Sequence, residues 1–113
     1  MTPQQWFETM RHIWVNQTPE NITHLLAADV EYHEDPLQPA LTSVESIVEA
    51  WQEIKQQNIE CVQIEMLHEH QNVGIAIWRF KEVNQPEHVG CYYLELNSNG
   101  KCKHFRQWWN IRR

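Results

Sequence analysis

Trp6, Phe7, Met10, Ile13 and Trp14 recur at spacings of three and four residues, which sets them on one face of a helix. Thr2-Pro3-Gln4-Gln5 ahead of them supplies an N-cap, a proline at the first helical position and a glutamine at the third. Thr18-Pro19 starts a second, shorter helix with Ile22, Leu25 and Leu26 as its buried stripe. Thr42-Ser43-Val44-Glu45 reads as a capping box and opens a third helix, in which Val44, Ile47, Val48, Trp51 and Ile54 share one side. That helix is expected to end near Gln57 or Asn58.

Between and after these helices the period changes to two. Val30 to Asp35 reads as extended and stops at Pro36, because a residue before proline avoids the helical region. Pro36 and Pro39 then hold a turn. Four longer strands are predicted at 59–70, 73–82, 88–97 and 101–111. In the first, Val62, Ile64 and Met66 alternate with Gln63 and Glu65, as in a half-buried strand. Segment 73–82 is apolar on both faces, with Val73, Ile75 and Ile77 on one and Ala76, Trp78 and Phe80 on the other. Asn97-Ser98-Asn99-Gly100 is a hairpin turn with Gly100 available for positive φ, and Asn84-Gln85-Pro86 is a second turn. Helices grouped ahead of a strand meander predict an α+β fold on an antiparallel sheet.

At 113 residues the chain is expected to be one domain, 1–113, able to build a core without metals or disulfides. Six tryptophans suit a roomy core or the walls of a cavity. The net charge of -6 argues against nucleic acid as a partner. Arg106, Arg112 and Arg113, with Lys101 and Lys103, read as a solvated strand end and tail. No apolar run approaches a membrane span, and the polar start MTPQQWFETM shows no leader, so no membrane partner is expected. Cys61, Cys91 and Cys102 form no CxxC pair, which fits reduced thiols in a cytoplasm. Two glycosylation sequons, at Asn16 and Asn21, are then chance matches.

Leu25-Leu26-Ala27-Ala28-Asp29-Val30 after the short helix, the segment Tyr32-His33-Glu34-Asp35-Pro36, the third helix with Trp51 and the closing meander together resemble the nuclear-transport-factor-2-like superfamily, and within it the SnoaL-like proteins. The resemblance covers nearly the whole chain. It implies a cystatin-like cone, with three N-terminal helices packed on a curved antiparallel sheet that encloses a pocket. The Glu34-Asp35-Pro36 segment is similar to the one that carries the general base in ketosteroid isomerases. Their tyrosine on the first helix has no counterpart, since the region here reads Met10-Arg11-His12, and Tyr92 falls where they hold a second oxyanion donor. Members include isomerases, cyclases, dehydratases and proteins with no known activity, so the fold alone does not give a function.

Candidate chemistry follows from both lines. A carboxylate at the rim of a tryptophan-lined cavity has its charged form desolvated, which suits proton abstraction. Asp35 and Glu34 are the candidates; Glu34 shares a strand face with Val30 and Tyr32, Asp35 with His33. Asp29 to Asp35 looks one residue longer than the family usually has, so a bulge decides which of them points inward. The competing reading has Asp35 merely fixing the turn at Pro36. Tyr92 is the candidate hydrogen-bond donor to an oxyanion. Trp14, Tyr32, Trp51, Trp78, Trp108 and Arg106 are candidate ligand contacts, set against plain core for the aromatics and an outer-face position for Arg106. His68 and His70 share a strand face and can hold zinc only with a third ligand, for which His33, His88 and His104 are open; no metal or other cofactor is expected. Cys91 reads as an inert thiol. The expected function is binding of a small, largely apolar molecule with possible proton transfer; the alternative is a non-catalytic binding or dimerisation module. Adjacent Trp108 and Trp109 cannot both face inward, so a homodimer through the outer sheet face is expected.

Overall fold

The computed structural model describes residues 1–112; Arg113, the last of the basic C-terminal group, lies outside them. Helix α1 spans Pro3–Asn16 behind a complete capping box, in which the Thr2 side chain accepts from Gln5 N and the Gln5 side chain accepts from Thr2 N. It ends on Gln17 at φ 54°, a left-handed cap whose N–H bonds to the last carbonyls. The second helix, Pro19–Leu25, is a 3₁₀ helix. Helix α2 covers Val44–Trp51 and tightens into a further 3₁₀ turn, Gln52–Gln56. Its cap is Ser43, whose Oγ accepts from Ser46 N at 3.1 Å, so the reciprocal Thr42–Glu45 box is not used.

Five strands form one open sheet: β1 (Leu26–His33), β2 (Ile59–His70), β3 (Val73–Glu82), β4 (His88–Leu96) and β5 (Cys102–Ile111), in the spatial order β1-β5-β4-β3-β2. The four later strands are the antiparallel meander, and Gly100 takes the positive φ of 74° at its last turn. The sheet is nevertheless mixed, because β1 lies parallel to β5, with Tyr32 opposite Phe105. The register between these two strands shifts between Leu26 and Glu31, where the long β1 segment takes up its surplus.

The core lies between α1 and the inner sheet face. Trp6, Met10, Ile47, Ala76 and Leu94 are fully buried there. The indole of Trp6 meets Phe7 edge-on at 5.6 Å and donates through Nε1 to Leu25 O at 2.9 Å, which ties α1 to the end of the 3₁₀ helix. Arg11 reaches over to β2, its Nε donating to Val62 O at 2.8 Å. Gln17 Nε2 donates to Ile54 O and Gln57 O, both at 2.8 Å, and so joins the end of α1 to the end of the α2 region. Among the described residues no helix is long and apolar enough to cross a membrane.

Candidate functional site

At one end of the core the packing opens into a cavity of about 520 Å³. Its walls come from α1, the α2 region and the inner face of β3, β4 and β5. Trp14 of α1 stands edge-on to Trp51 of α2, 6.3 Å away. Each of these indoles is fixed by its own N–H: Trp14 Nε1 donates to Gln57 Oε1 at 2.7 Å, and Trp51 Nε1 donates to Tyr32 Oη at 3.0 Å. Trp78 stacks on Tyr92, with ring centroids 5.6 Å apart, and Tyr92 stacks in turn on Phe7. A Cβ placed on Gly90 would meet Trp78 Cε2 and Cζ2 at 2.8 Å, so only a strand residue without a side chain lets the indole lie flat against β4.

Glu34 and Asp35 both reach the cavity but are held differently. Tyr32 faces inward, and Glu34, one residue past the end of β1, also lines the cavity. Its backbone carbonyl accepts from Gln107 Nε2 at 3.0 Å. Its carboxyl is half-buried, and desolvation raises its pKa from the usual 4.5, with the charges of Glu53 and Asp35 adding to the effect. Asp35 instead accepts from Leu37 N through Oδ1 at 2.8 Å, an Asx turn at Pro36. Tyr92 is buried, and burial followed by the charge of Glu34 pushes its phenol well above the usual 10.0, so it stays a protonated donor.

Trp14, Tyr32, Trp51 and Trp78 all line this cavity. Trp108 and Arg106 do not. Opposite residues of an antiparallel pair share a face: Gln107 pairs with Tyr92 and Trp109 with Gly90 on the inner face, which turns Trp108, opposite Cys91, and Arg106, opposite Tyr93, outward. It is Trp109 that reaches the mouth of the cavity, still 45% exposed. Glu53, Gln57, Glu82, His88 and Gln107 also line it and had not been singled out as pocket residues from the sequence. Two buried polar atoms on this wall, Trp78 Nε1 and His88 Nδ1, have no partner among the described residues.

His68 and His70 are exposed at the far end of β2. Among the described residues the His and carboxylate groups that converge within 4.8 Å are Glu31, His33 and His104, on the outer face. There His33 Nε2 lies 2.7 Å from Glu31 Oε1, and Arg106 Nε donates to His104 Nε2 at 3.2 Å. Cys102 is buried and its thiol is pushed up to about 12 by desolvation, which leaves it inert.

An α+β cone of this kind, with helices laid over one face of a bent sheet and a cavity at one end, is a recurrent architecture. The chain has the nuclear-transport-factor-2-like fold. It superposes on a steroid delta-isomerase from Pseudomonas aeruginosa with a TM-score of 0.75 at 8% identity, over 97% of this chain and 84% of that one. A protein from Shewanella denitrificans described as a SnoaL-like polyketide cyclase gives 0.71 at 10% identity, over 95% and 89%. A protein from Novosphingobium aromaticivorans described as a scytalone dehydratase gives 0.68 at 12% identity, over 97% and 85%. No protein-family model matches the sequence, and no curated protein matches it.

Proposed function

We propose that the chain holds a small, largely apolar molecule in the cone and moves a proton on it, with Glu34 as the base and Tyr92 as the donor. The observation that carries this reading is Glu34 itself. It is a half-buried carboxyl on the wall of an aromatic cavity, made more basic by desolvation and by Glu53 and Asp35. A carboxylate so placed can take a proton from a carbon next to a carbonyl. The C–H electron pair moves onto the carbonyl oxygen, the Tyr92 hydroxyl stabilises the oxyanion by hydrogen bonding, and the proton returns at another carbon or the same one. Asp35 is spent on its turn and acts on Glu34 through its charge. Folds shared with an isomerase, a cyclase and a dehydratase are compatible with this chemistry and do not by themselves supply it.

Glu34→Gln tests the assignment by two readouts. With 2-tetralone in deuterium oxide, the wild type is expected to accelerate exchange of the α protons, and the variant to lose about 10²-fold of that acceleration. Equal exchange rates in the two proteins would remove Glu34 from the mechanism. The second readout is stability. A folded-state pKa above the ordinary 4.5 means that folding favours the protonated carboxyl. The stability it contributes is complete below that value and is lost as pH rises through the raised one. Glu34→Gln is therefore expected to melt higher than wild type at pH 7.5, with the difference vanishing at pH 4.

The outer sheet face supports a homodimer as the form in which the pocket works. Ile77, Cys91 and Trp108 lie side by side across β3, β4 and β5, and Ile77 and Trp108 are 38% and 41% exposed. A two-fold pairing of this face would cover both copies, and a lasting interface should bury more than roughly 1,000 Å². Light scattering on a size-exclusion column is expected to give twice the chain mass for wild type and one chain mass for Trp108→Glu. A wild-type monomer at tens of micromolar would reject the dimer.

A further inference from the structure

We infer that the pocket's ligand carries a positive charge on an apolar body, as a tertiary or quaternary ammonium does; this deepens the reading of the cone as a small-molecule site and rests on it. Four carboxylates line the cavity, Glu34, Asp35, Glu53 and Glu82, and among the described residues no lysine or arginine lines it. The remaining wall is largely aromatic, with Trp14, Trp51 and Trp78 around the interior and Trp109 at the mouth. An indole face is the best π surface for an organic cation, and the attraction grows where water is kept out. Among the described residues no lysine or arginine of the protein's own meets these carboxylates within the cavity, and the Glu34 pKa is raised first by desolvation and then by the charges of Glu53 and Asp35. A cation entering between the carboxylates relieves their mutual repulsion. An anion would add to it, and a neutral molecule would relieve none of it.

The same residues select against a metal ion. A divalent cation needs several hard ligand atoms brought together. Among the described residues the carboxylates of the cavity do not converge in that way; the groups that do, Glu31, His33 and His104, are on the opposite face of the sheet. Dispersed carboxylates and π faces suit a large, diffuse charge that gives up its hydration cheaply. Two of the indoles are already locked by hydrogen bonds to Gln57 and Tyr32, so these walls need no reordering to receive it.

The test is a titration of the intact protein with benzyltrimethylammonium and with neopentylbenzene, its neutral isostere, followed by tryptophan fluorescence and calorimetry. The cation is expected to bind at least about ten-fold more tightly, the separation expected from a charge met by both π faces and carboxylates. Glu34→Gln and Glu53→Gln, checked for unchanged circular dichroism, are each expected to weaken the cation several-fold and to leave the neutral compound unaffected. Equal binding of the two compounds would overturn the inference about charge and leave the pocket standing. Cation binding untouched by either substitution would overturn it too. Failure of both compounds to bind the folded wild type would overturn the pocket reading itself.

Discussion

Trp6→Ala is expected to cost about 4 kcal/mol, the range found when a large aromatic is cut from a closed core. Trp6 is fully buried, and its ring packs against Phe7 and Phe105, with centroids 5.6 and 5.8 Å away. Its Nε1 also holds the Leu25 carbonyl at the end of the 3₁₀ helix. The alanine leaves both a void and an acceptor without its donor, and the second loss persists in Trp6→Phe at about 1–3 kcal/mol. In a domain of this size 4 kcal/mol corresponds to a fall of roughly 15 °C in melting temperature. Thermal and urea unfolding followed by circular dichroism measure both variants. A Trp6→Phe protein as stable as wild type would show that the Leu25 bond contributes nothing.

Gly90→Ala should be strongly damaging, at about 3 kcal/mol, since overpacking a tight site forces backbone to move. The added Cβ would stand 2.0 Å from Trp108 O and 2.8 Å from two ring atoms of Trp78. The first clash pushes β5 away from β4, and the second lifts the indole from the strand. Loss of stability should therefore come with a changed pocket. The measurement is a chemical-denaturation midpoint together with the benzyltrimethylammonium titration, and both are expected to weaken. A variant with wild-type stability and binding would show that β4 and β5 part there without cost.

Most elements were readable because their signals are local. The Thr2 box, the Pro19 start, the positive φ at Gly100 and the alternation of Val62, Ile64 and Met66 each depend on residues a few positions apart. Strand β1 lies earlier than the sequence suggests, at Leu26–His33 where Val30 to Asp35 was expected. Leu25-Leu26-Ala27-Ala28 looks like the end of a helix, but the 3₁₀ helix stops at Leu25 and the chain is already extended at Leu26. The parallel pairing of β1 with β5 has no local signal at all, because the partners lie more than seventy positions apart.

The pocket divides along the same line. Trp14, Trp51 and Trp78 follow from helical and strand periodicity. The choice between Trp108 and Trp109 depends on strand phase after the irregular Glu95–Leu96 pairing, which a sequence does not reveal. Glu53 escapes the sequence reading for a geometric reason. Past Trp51 the helix tightens to three residues per turn, which rotates Glu53 away from the face that a 3.6-residue period assigns to it. Between Glu34 and Asp35, the inward row through Val30 and Tyr32 already held the clue, and the Asx turn accounts for the other carboxylate.

The parallel pairing of β1 with β5 also sets a timetable for biosynthesis. Residues 26–33 leave the ribosome well before their sheet partner, residues 102–111. Until it emerges, the inward residues Val30 and Tyr32 have no strand beside them, and the pocket wall that continues into Glu34 cannot form. The meander of β2, β3 and β4 can pair as it appears, so the nascent chain should carry a partial sheet with an unfilled edge until β5 is made. Such a long-range closing step makes folding slow for a domain of this length. The site is thus assembled only once β5 has been made.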